Sequence, residues 1–222
     1  RAMATQVVRR LPTDRASLLD NDRESDEASD AQRFYGLFAT LPDLIDGWIT
    51  ELYYYALREK DSGDVNTRNR DLDSLGFRLR TTPAPGEFDF EIESVYQTGE
   101  QRNSSSPLDR IDLDHRAYFQ YVAAGYSFES RFNPRLVAEF NYASGDEDPF
   151  DNDSERFDSL FGPTTFEFGV VGLYNPFSRS NLVTPGLRLF ADLTPDLDFM
   201  ASYRHFWLAE DKDTWGRTGI RD

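Results

Sequence analysis

Residues 87–96 read Glu87-Phe88-Asp89-Phe90-Glu91-Ile92-Glu93-Ser94-Val95-Tyr96. Phe88, Phe90, Ile92 and Tyr96 share one parity with Ser94, while Glu87, Asp89, Glu91 and Glu93 share the other. A helix would scatter these carboxylates around its circumference, whereas a strand sends alternate side chains to opposite faces and separates them cleanly. The stretch is therefore a β-strand with one apolar face and one charged face. The segment before it behaves likewise: in Asp73–Thr82, Leu75, Phe77 and Leu79 oppose Gly76, Arg78 and Arg80. Pro83-Ala84-Pro85-Gly86 between them reads as a tight turn. Pairing across it would set Arg80 opposite Asp89 and Arg78 opposite Glu91, and such cross-strand charge pairs are favourable.

The same period of two recurs along the chain. Arg135–Ala143 sets Leu136, Ala138, Phe140 and Tyr142 against Arg135, Glu139 and Asn141. Gly186–Leu193 sets Leu187, Leu189, Ala191 and Leu193 against Arg188 and Asp192. Leu197–Leu208 sets Leu197, Phe199, Ala201 and Tyr203 against Asp198, Ser202 and Arg204. Weaker strands cover Arg33–Ala39, Trp48–Arg58 and Arg116–Glu129, which makes about eight in all. Short connections (Thr40–Gly47, Pro83–Gly86, Ser130–Pro134, Thr194–Asp196) alternate with long polar ones (Glu59–Leu72, Thr98–His115, Ser144–Pro185). Short turns on one side and long loops on the other are the rhythm of an outer-membrane barrel. The expected fold is thus all-β: a transmembrane, antiparallel, up-and-down β-barrel, in a single domain over residues 1–222.

Two loops stand out. Residues 13–32 contain the acidic run Asp22–Asp30 and read as an acidic, disordered outer loop. Residues 144–185 form a long excursion whose acidic first half is expected to be mobile. Its second half, FEFGVVGLYNPF, is too apolar to remain in water, and folds into the barrel mouth or inward as a constriction; an extra two-stranded hairpin is the alternative. Phe166, Phe168, Tyr174, Phe177 and Arg179 are the candidates to line such a constriction.

Composition narrows the function. No run approaches the roughly 18 apolar residues of a spanning helix, which leaves a barrel untouched. Mean hydropathy is −0.63, as a polar lumen and polar loops allow. Aromatics make up 14%, matching either an ordinary core or the two aromatic girdles of a barrel. There is no Cys and there are two His, which removes disulfides, thiolate sites and Cys nucleophiles and disfavours a histidine metal site. A net charge of −16 argues against nucleic acid, whose phosphates need a basic surface. The opening Arg1-Ala2-Met3-Ala4 has no apolar leader, so the chain is expected to be mature or truncated there. Eight strands could close a small barrel; but the end at Arg221-Asp222 lacks a closing aromatic strand, and an open edge cannot be satisfied in lipid, so part of a larger barrel is the expectation.

Asp146, Asp148, Asp151 and Asp153 have calcium-like spacing, but Pro149 and the missing loop glycine break the EF-hand pattern. They form a weak candidate for an outer-loop Ca²⁺ site, and no other cofactor is expected. Ser104-Ser105-Ser106 lies ten residues before His115, and Ser202 and His205 fall on opposite faces of one strand, so neither makes a hydrolase arrangement. Glu91 and Glu93 would stand about 7 Å apart along a strand, as glycosidase carboxylates can; a polar lumen produces such pairs as well. Gly162 and Gly169 are too far apart for a phosphate loop. The chain does not read as an enzyme.

From about Arg33 onward the chain resembles the alginate-export family of outer-membrane proteins. The resemblance rests on YASGD (142–146), RFDSLFG (156–162), GLYNPFSRSNLVTPGLRL (172–189), RHFWLAEDKDTW (204–215) and TGIRD (218–222), with FYGLFATLP and PGEFDFEIESVYQTG earlier. It implies a bacterial outer-membrane barrel of about eighteen strands, of which this chain would hold about half, and passive export of an anionic polyuronate. Carried over residue by residue, the lumen arginines are Arg78, Arg80, Arg116, Arg135, Arg188 and Arg204. The same face carries Glu51, Glu87, Asp89, Glu91, Glu93, Glu139, Asp192 and Asp198, so acids outnumber bases where a polyanion path wants positive potential. An alginate-like polysaccharide and a small hydrophilic solute therefore both stand as cargo. Outer-membrane lipid is an expected partner, and periplasmic export components are left open. A soluble carbohydrate-binding sandwich and a plugged structural barrel are the competing readings.

Overall fold

A computed structural model describes residues 1–9, 11, 15–62, 65–162, 168, 177–216 and 220. The strands are β1 (Ala2–Arg9), β2 (Glu27–Ile45), β3 (Trp48–Glu59), β4 (Asp71–Arg80), β5 (Phe88–Arg102), β6 (Asp112–Ser127), β7 (Arg135–Ala143), β8 (Asp153–Ser154), β9 (Leu182–Thr194) and β10 (Leu197–Arg204), with one short helix, α1 (Arg15–Leu19). The sheet runs β1-β2-β3-β4-β5-β6-β7-β9-β10, each strand antiparallel to its chain neighbour, and β8 attaches in parallel to β6. It is the up-and-down wall that the alternation predicts, open at β1 and β10.

All eight expected strands are present, with longer or shorter reach. β2 begins at Glu27, inside the expected acidic loop, and α1 occupies another part of it. β1 is an addition. Its outward positions include Ala2 and Ala4, too small to produce an apolar alternation, and it is recognised only through its pairing with Leu37 and Tyr35 on β2. Two-residue links join β2 to β3 (Asp46-Gly47, with Gly47 at φ 75) and β9 to β10. Asp-Gly supplies the positive φ that a tight hairpin requires.

The β4–β5 register differs from expectation by two residues: Arg78 pairs with Glu93 and Arg80 with Glu91. The Pro83–Gly86 segment contains the expected tight turn, Glu87 donating its N–H to the Ala84 carbonyl at 3.1 Å, but the hairpin loop around it is longer. Thr81 donates its N–H to the Phe90 carbonyl, and Gly86 donates to Ser127 at the end of β6, so the link leans over the neighbouring strand. A shift of two leaves every side chain on its face. Arg78 still reaches Glu91 diagonally, from Nε to Oε1 at 2.7 Å.

The two faces of the sheet have opposite chemistry. Leu52, Leu75, Phe77, Phe90, Val122, Leu136, Phe140, Leu187, Leu189 and Phe199 are exposed on the outer face. Aromatic side chains bound this band at both ends. At one end Tyr96 and Tyr118 are register partners, and Tyr118 stacks on Tyr142 at 5.4 Å. At the other end Trp48, Phe88, Phe90, Tyr126 and Phe128 contact in sequence. Phe88 and Tyr96 lie eight residues apart on β5, roughly 27 Å along a strand; at the roughly 40° tilt of a barrel strand that is about 21 Å along the membrane normal, most of an apolar band about 25 Å tall. Beyond Tyr96 the outer face turns polar, through Thr98, Glu100, Asp114 and Arg116.

Inside, a small core of Val95, Ala117, Phe119, Ala143, Phe157, Phe168 and Leu182 gathers against the wall, with Phe177, Phe206 and Trp215 packed on it. β10 ends at Arg204, short of the expected Leu208, but the chain stays beside β9: Trp207 bridges Val183 through two backbone hydrogen bonds, while Phe206 packs on the inner core.

Candidate functional site: the inner face and the segment folded over it

Long charged side chains need small neighbours in order to lie along a wall. Arg80, Glu91, Ala123, Glu139, Gly186 and Arg204 follow one another across six strands in a single register row. Ala123 and Gly186 leave the space that Glu139 uses to hold two guanidinium groups. Its Oε2 is 2.7 Å from Arg188, its Oε1 is held by Arg204, and its side chain is 1% exposed. Asp89 spans β6 to bind Arg135 (2.8 Å to Nε), crossing over Gly125, where a Cβ would strike both partners. Arg78 joins Glu51 to Glu91, and Arg179 lies 4.0 Å from Glu93 and over the Phe119 ring. These residues form a belt of alternating charge across the inner wall.

Of the expected lumen residues, the structure brings together Arg78, Arg80, Arg135, Arg188, Arg204, Glu91, Glu93 and Glu139. Asp192 sits apart near the β6–β7 turn, where it accepts from Asn133. Arg116 is a correction: it shares the outer face with Tyr118 and Val122, because its neighbours His115 and Ala117 are the buried ones. It stands beyond the aromatic edge, where a charge meets water or headgroups.

The excursion after β7 also differs from expectation. Its acidic first half is not a free loop. From Asp153 to Gly162 it runs back over the inner face as a strap. Phe157 is buried against Phe119. Gln97 clasps the Asp158 backbone in both directions, its Nε2 donating to the carbonyl (2.7 Å) and its Oε1 accepting from the N–H (2.9 Å). Arg70 bridges Asp158 (2.7 Å) and Glu59 (2.6 Å). Burial opposes the Asp158 charge, but Arg70 overcomes it and holds the carboxyl below the usual range; that pairing is therefore lost only as pH falls through this depressed value. Arg156 binds Asp213 (Nε, 2.7 Å) and the Gly216 carbonyl, tying the strap to the segment after β10. In the expected second half, Phe168 and Phe177 do pack inward, both on Phe206, and Arg179 faces Glu93. Phe166 and Tyr174 lie outside the described residues.

A cavity lies on each side of the strap, and Phe157, Asp158 and Ser159 line both. One, of about 510 Å³, is bordered by Arg68, Arg70, Arg156, Gln101, Thr67 and Ser180. The other, of about 290 Å³, is bordered by Tyr53, Tyr55, Phe38, Arg78, Glu93 and Arg179. Arg68, Arg70 and Arg156 were not among the sequence candidates, because they lie in stretches read as outer loops. Their one available signal was the RFDSLFG motif that contains Arg156.

The four candidate calcium ligands do not converge. Asp148 and Asp151 accept N–H groups from Phe150 and Asp153, two residues on in each case. No group of three or more acids or imidazoles that could hold a metal occurs among the described residues. Asp146 instead shows the cost of crowding: burial first, then the Asp151 and Glu155 charges, push its carboxyl up to about 6. A raised carboxyl stabilises the fold at low pH, and that contribution disappears as pH rises through about 6. Glu210, raised by burial and by Glu147, Asp211 and Glu155, acts in the same direction. Opening of residues 144–155, followed by hydrogen exchange corrected for intrinsic rate, should be rarer at pH 5 than at pH 7.5. Equal opening at both would remove Asp146 from this role.

An antiparallel sheet with an apolar, aromatic-edged outer face and a charged inner face defines the wall of an outer-membrane β-barrel of the porin class. A family model described as alginate export matches residues 17–221. The chain belongs to that family, one of outer-membrane porins and transporters and not of enzymes. No curated protein matches it.

Proposed function

We propose that this chain forms part of an outer-membrane conduit through which an anionic, alginate-like polysaccharide leaves the cell by passive diffusion, with the strap setting the width of the path. The observation that carries the reading is the larger cavity beside the strap, where three arginines outnumber the two carboxylates, Glu59 and Asp158, and stand among amide and hydroxyl groups, the partners that a carboxylated, hydroxyl-rich chain needs. The mutual pairing of Arg78, Arg135, Arg188 and Arg204 with wall carboxylates favours a second reading, a porin for small hydrophilic solutes.

Single-channel recording of the native protein in a planar bilayer, with and without oligouronate, separates the two. Anion preference with oligouronate block supports polysaccharide export. Cation preference without block keeps the channel and discards the polyuronate. Absence of conductance from protein shown to be inserted sinks both. Arg78→Glu should move selectivity severalfold toward cations, because two units of charge at about 6 Å are worth about 1.4 kcal/mol even in bulk-water dielectric. Unchanged selectivity would place Arg78 away from the path.

A further inference from the structure

The inner face of β2 and β3 carries a surface that the charged belt does not explain. Tyr55 is the register partner of Gly36, and Tyr53 of Gly76. A Cβ on Gly36 would come within 2.9 Å of the Tyr55 ring, and a Cβ on Gly76 would overlap the Tyr53 ring. Each tyrosine thus lies across a glycine with one ring face toward the sheet; Met3 shares the Gly36 seat with Tyr55, and Tyr53 also touches the inner core on one side. Phe34 stacks alongside Tyr55 (centroids 5.5 Å, 18° between planes), Tyr55 meets Tyr53 (5.4 Å, 37°), and Tyr53 stacks with Phe38 (6.2 Å, 10°). Four rings tile the wall as one panel. Phe161 closes its Phe34 end, edge-on at 5.2 Å. The Tyr55–Tyr53–Phe38 part borders the smaller cavity, with Glu51, Arg78 and Glu93 along its margin.

Rings that merely filled space over the glycines would be covered on both faces, as Phe119 is at 0% exposure. Phe34, Phe38, Tyr53 and Tyr55 are all partly exposed. The Tyr53 hydroxyl is anchored to Glu93 at 2.5 Å, which fixes the ring's plane. A flat, immobile aromatic surface with hydrogen-bonding groups at its rim suits a ligand with one apolar face and polar edges. A pyranose ring has that form: its axial C–H bonds make the face, and its hydroxyls lie around the rim.

We propose that the Phe34–Tyr55–Tyr53–Phe38 panel is a stacking lane for the pyranose rings of an oligosaccharide, taking sugar by its face and not by its charge. The proposal rests on the conduit reading and adds that uncharged glycans bind as well.

Cellohexaose, an uncharged β-1,4-linked hexasaccharide, is the probe, titrated against the full-length protein in detergent with ligand-detected NMR. The wild type should bind it. Tyr53→Leu and Tyr55→Leu should each weaken binding about threefold to tenfold, the scale of one aromatic contact, while Tyr53→Phe should stay within about twofold. Phe38→Leu, which has no glycine seat beneath it, tests a ring without disturbing the fold, and heat-modifiable gel migration checks folding of every variant. No binding by the wild type, or equal binding by the folded leucine variants, overturns the lane. Conductance is measured separately: a conducting channel that does not bind cellohexaose loses the lane and keeps the conduit, and a binding protein that does not conduct does the reverse.

Discussion

Asp158→Ala should loosen the strap and widen the path for current. The carboxylate pairs with Arg70, next to the start of β4, at 2.7 Å, and its side chain is only 12% exposed. Truncating one partner of a fully buried pair costs about 3–5 kcal/mol. Arg70 retains Glu59 here, so a local loss of about 2 kcal/mol is the better expectation. That corresponds to amide exchange about thirtyfold faster over residues 155–162. Gln97 still clasps the backbone in the single variant, so Asp158→Ala combined with Gln97→Ala should release the segment further and raise single-channel conductance above that of either variant alone. If exchange and conductance both stay at wild-type values in the double variant, the strap is held by something other than these two anchors.

Glu139→Ala should be the most damaging single change in the wall. Glu139 holds Arg188 and Arg204 and accepts from Tyr121. Its removal takes from Arg188 and Arg204 the carboxylate that holds them together, on side chains 31% and 11% exposed. The cost is about 3 kcal/mol, at the lower end for a broken buried pair because Arg188 retains some solvent. It would be read as a lower urea midpoint in refolding from detergent or vesicles. Adding Arg204→Met should recover part of the loss, since an apolar group of similar length relieves the repulsion between the two guanidinium groups. In the single variant selectivity should also move toward anions. A midpoint unchanged by Glu139→Ala would mean that the two arginines find other partners, and the double variant would then gain nothing.

The wall was legible because lipid on one side and water on the other impose a period of two, and residues 87–96 and 135–143 follow it with few departures, Ser94 and Val95 in the first and Val137 and Ala143 in the second. The strap was not. Its anchors, Gln97, Asp158 and Arg70, are separated widely in the chain, and no local pattern links them. Arg116 was misplaced for a related reason. Alternation identifies two faces, but where a strand passes the membrane edge the outer face turns polar too, and charge then no longer marks the inside. The β4–β5 register shows a third limit: charge complementarity is satisfied diagonally as well as directly, so Arg78 and Glu91 predict contact and not alignment.

Each wall strand pairs with its chain neighbour, while the strap draws its anchors from β4, β5, β6 and the segment beyond β10. The wall can therefore zip together strand after strand while the interior is still vacant, and the insert docks only when those four surfaces already exist. On the proposed function, in which the insert sets the path, substitutions in it should alter what passes without touching the part of the chain that must enter lipid. Cargo preference and membrane assembly become separable targets of selection: one sheet design can be kept while its contents are exchanged.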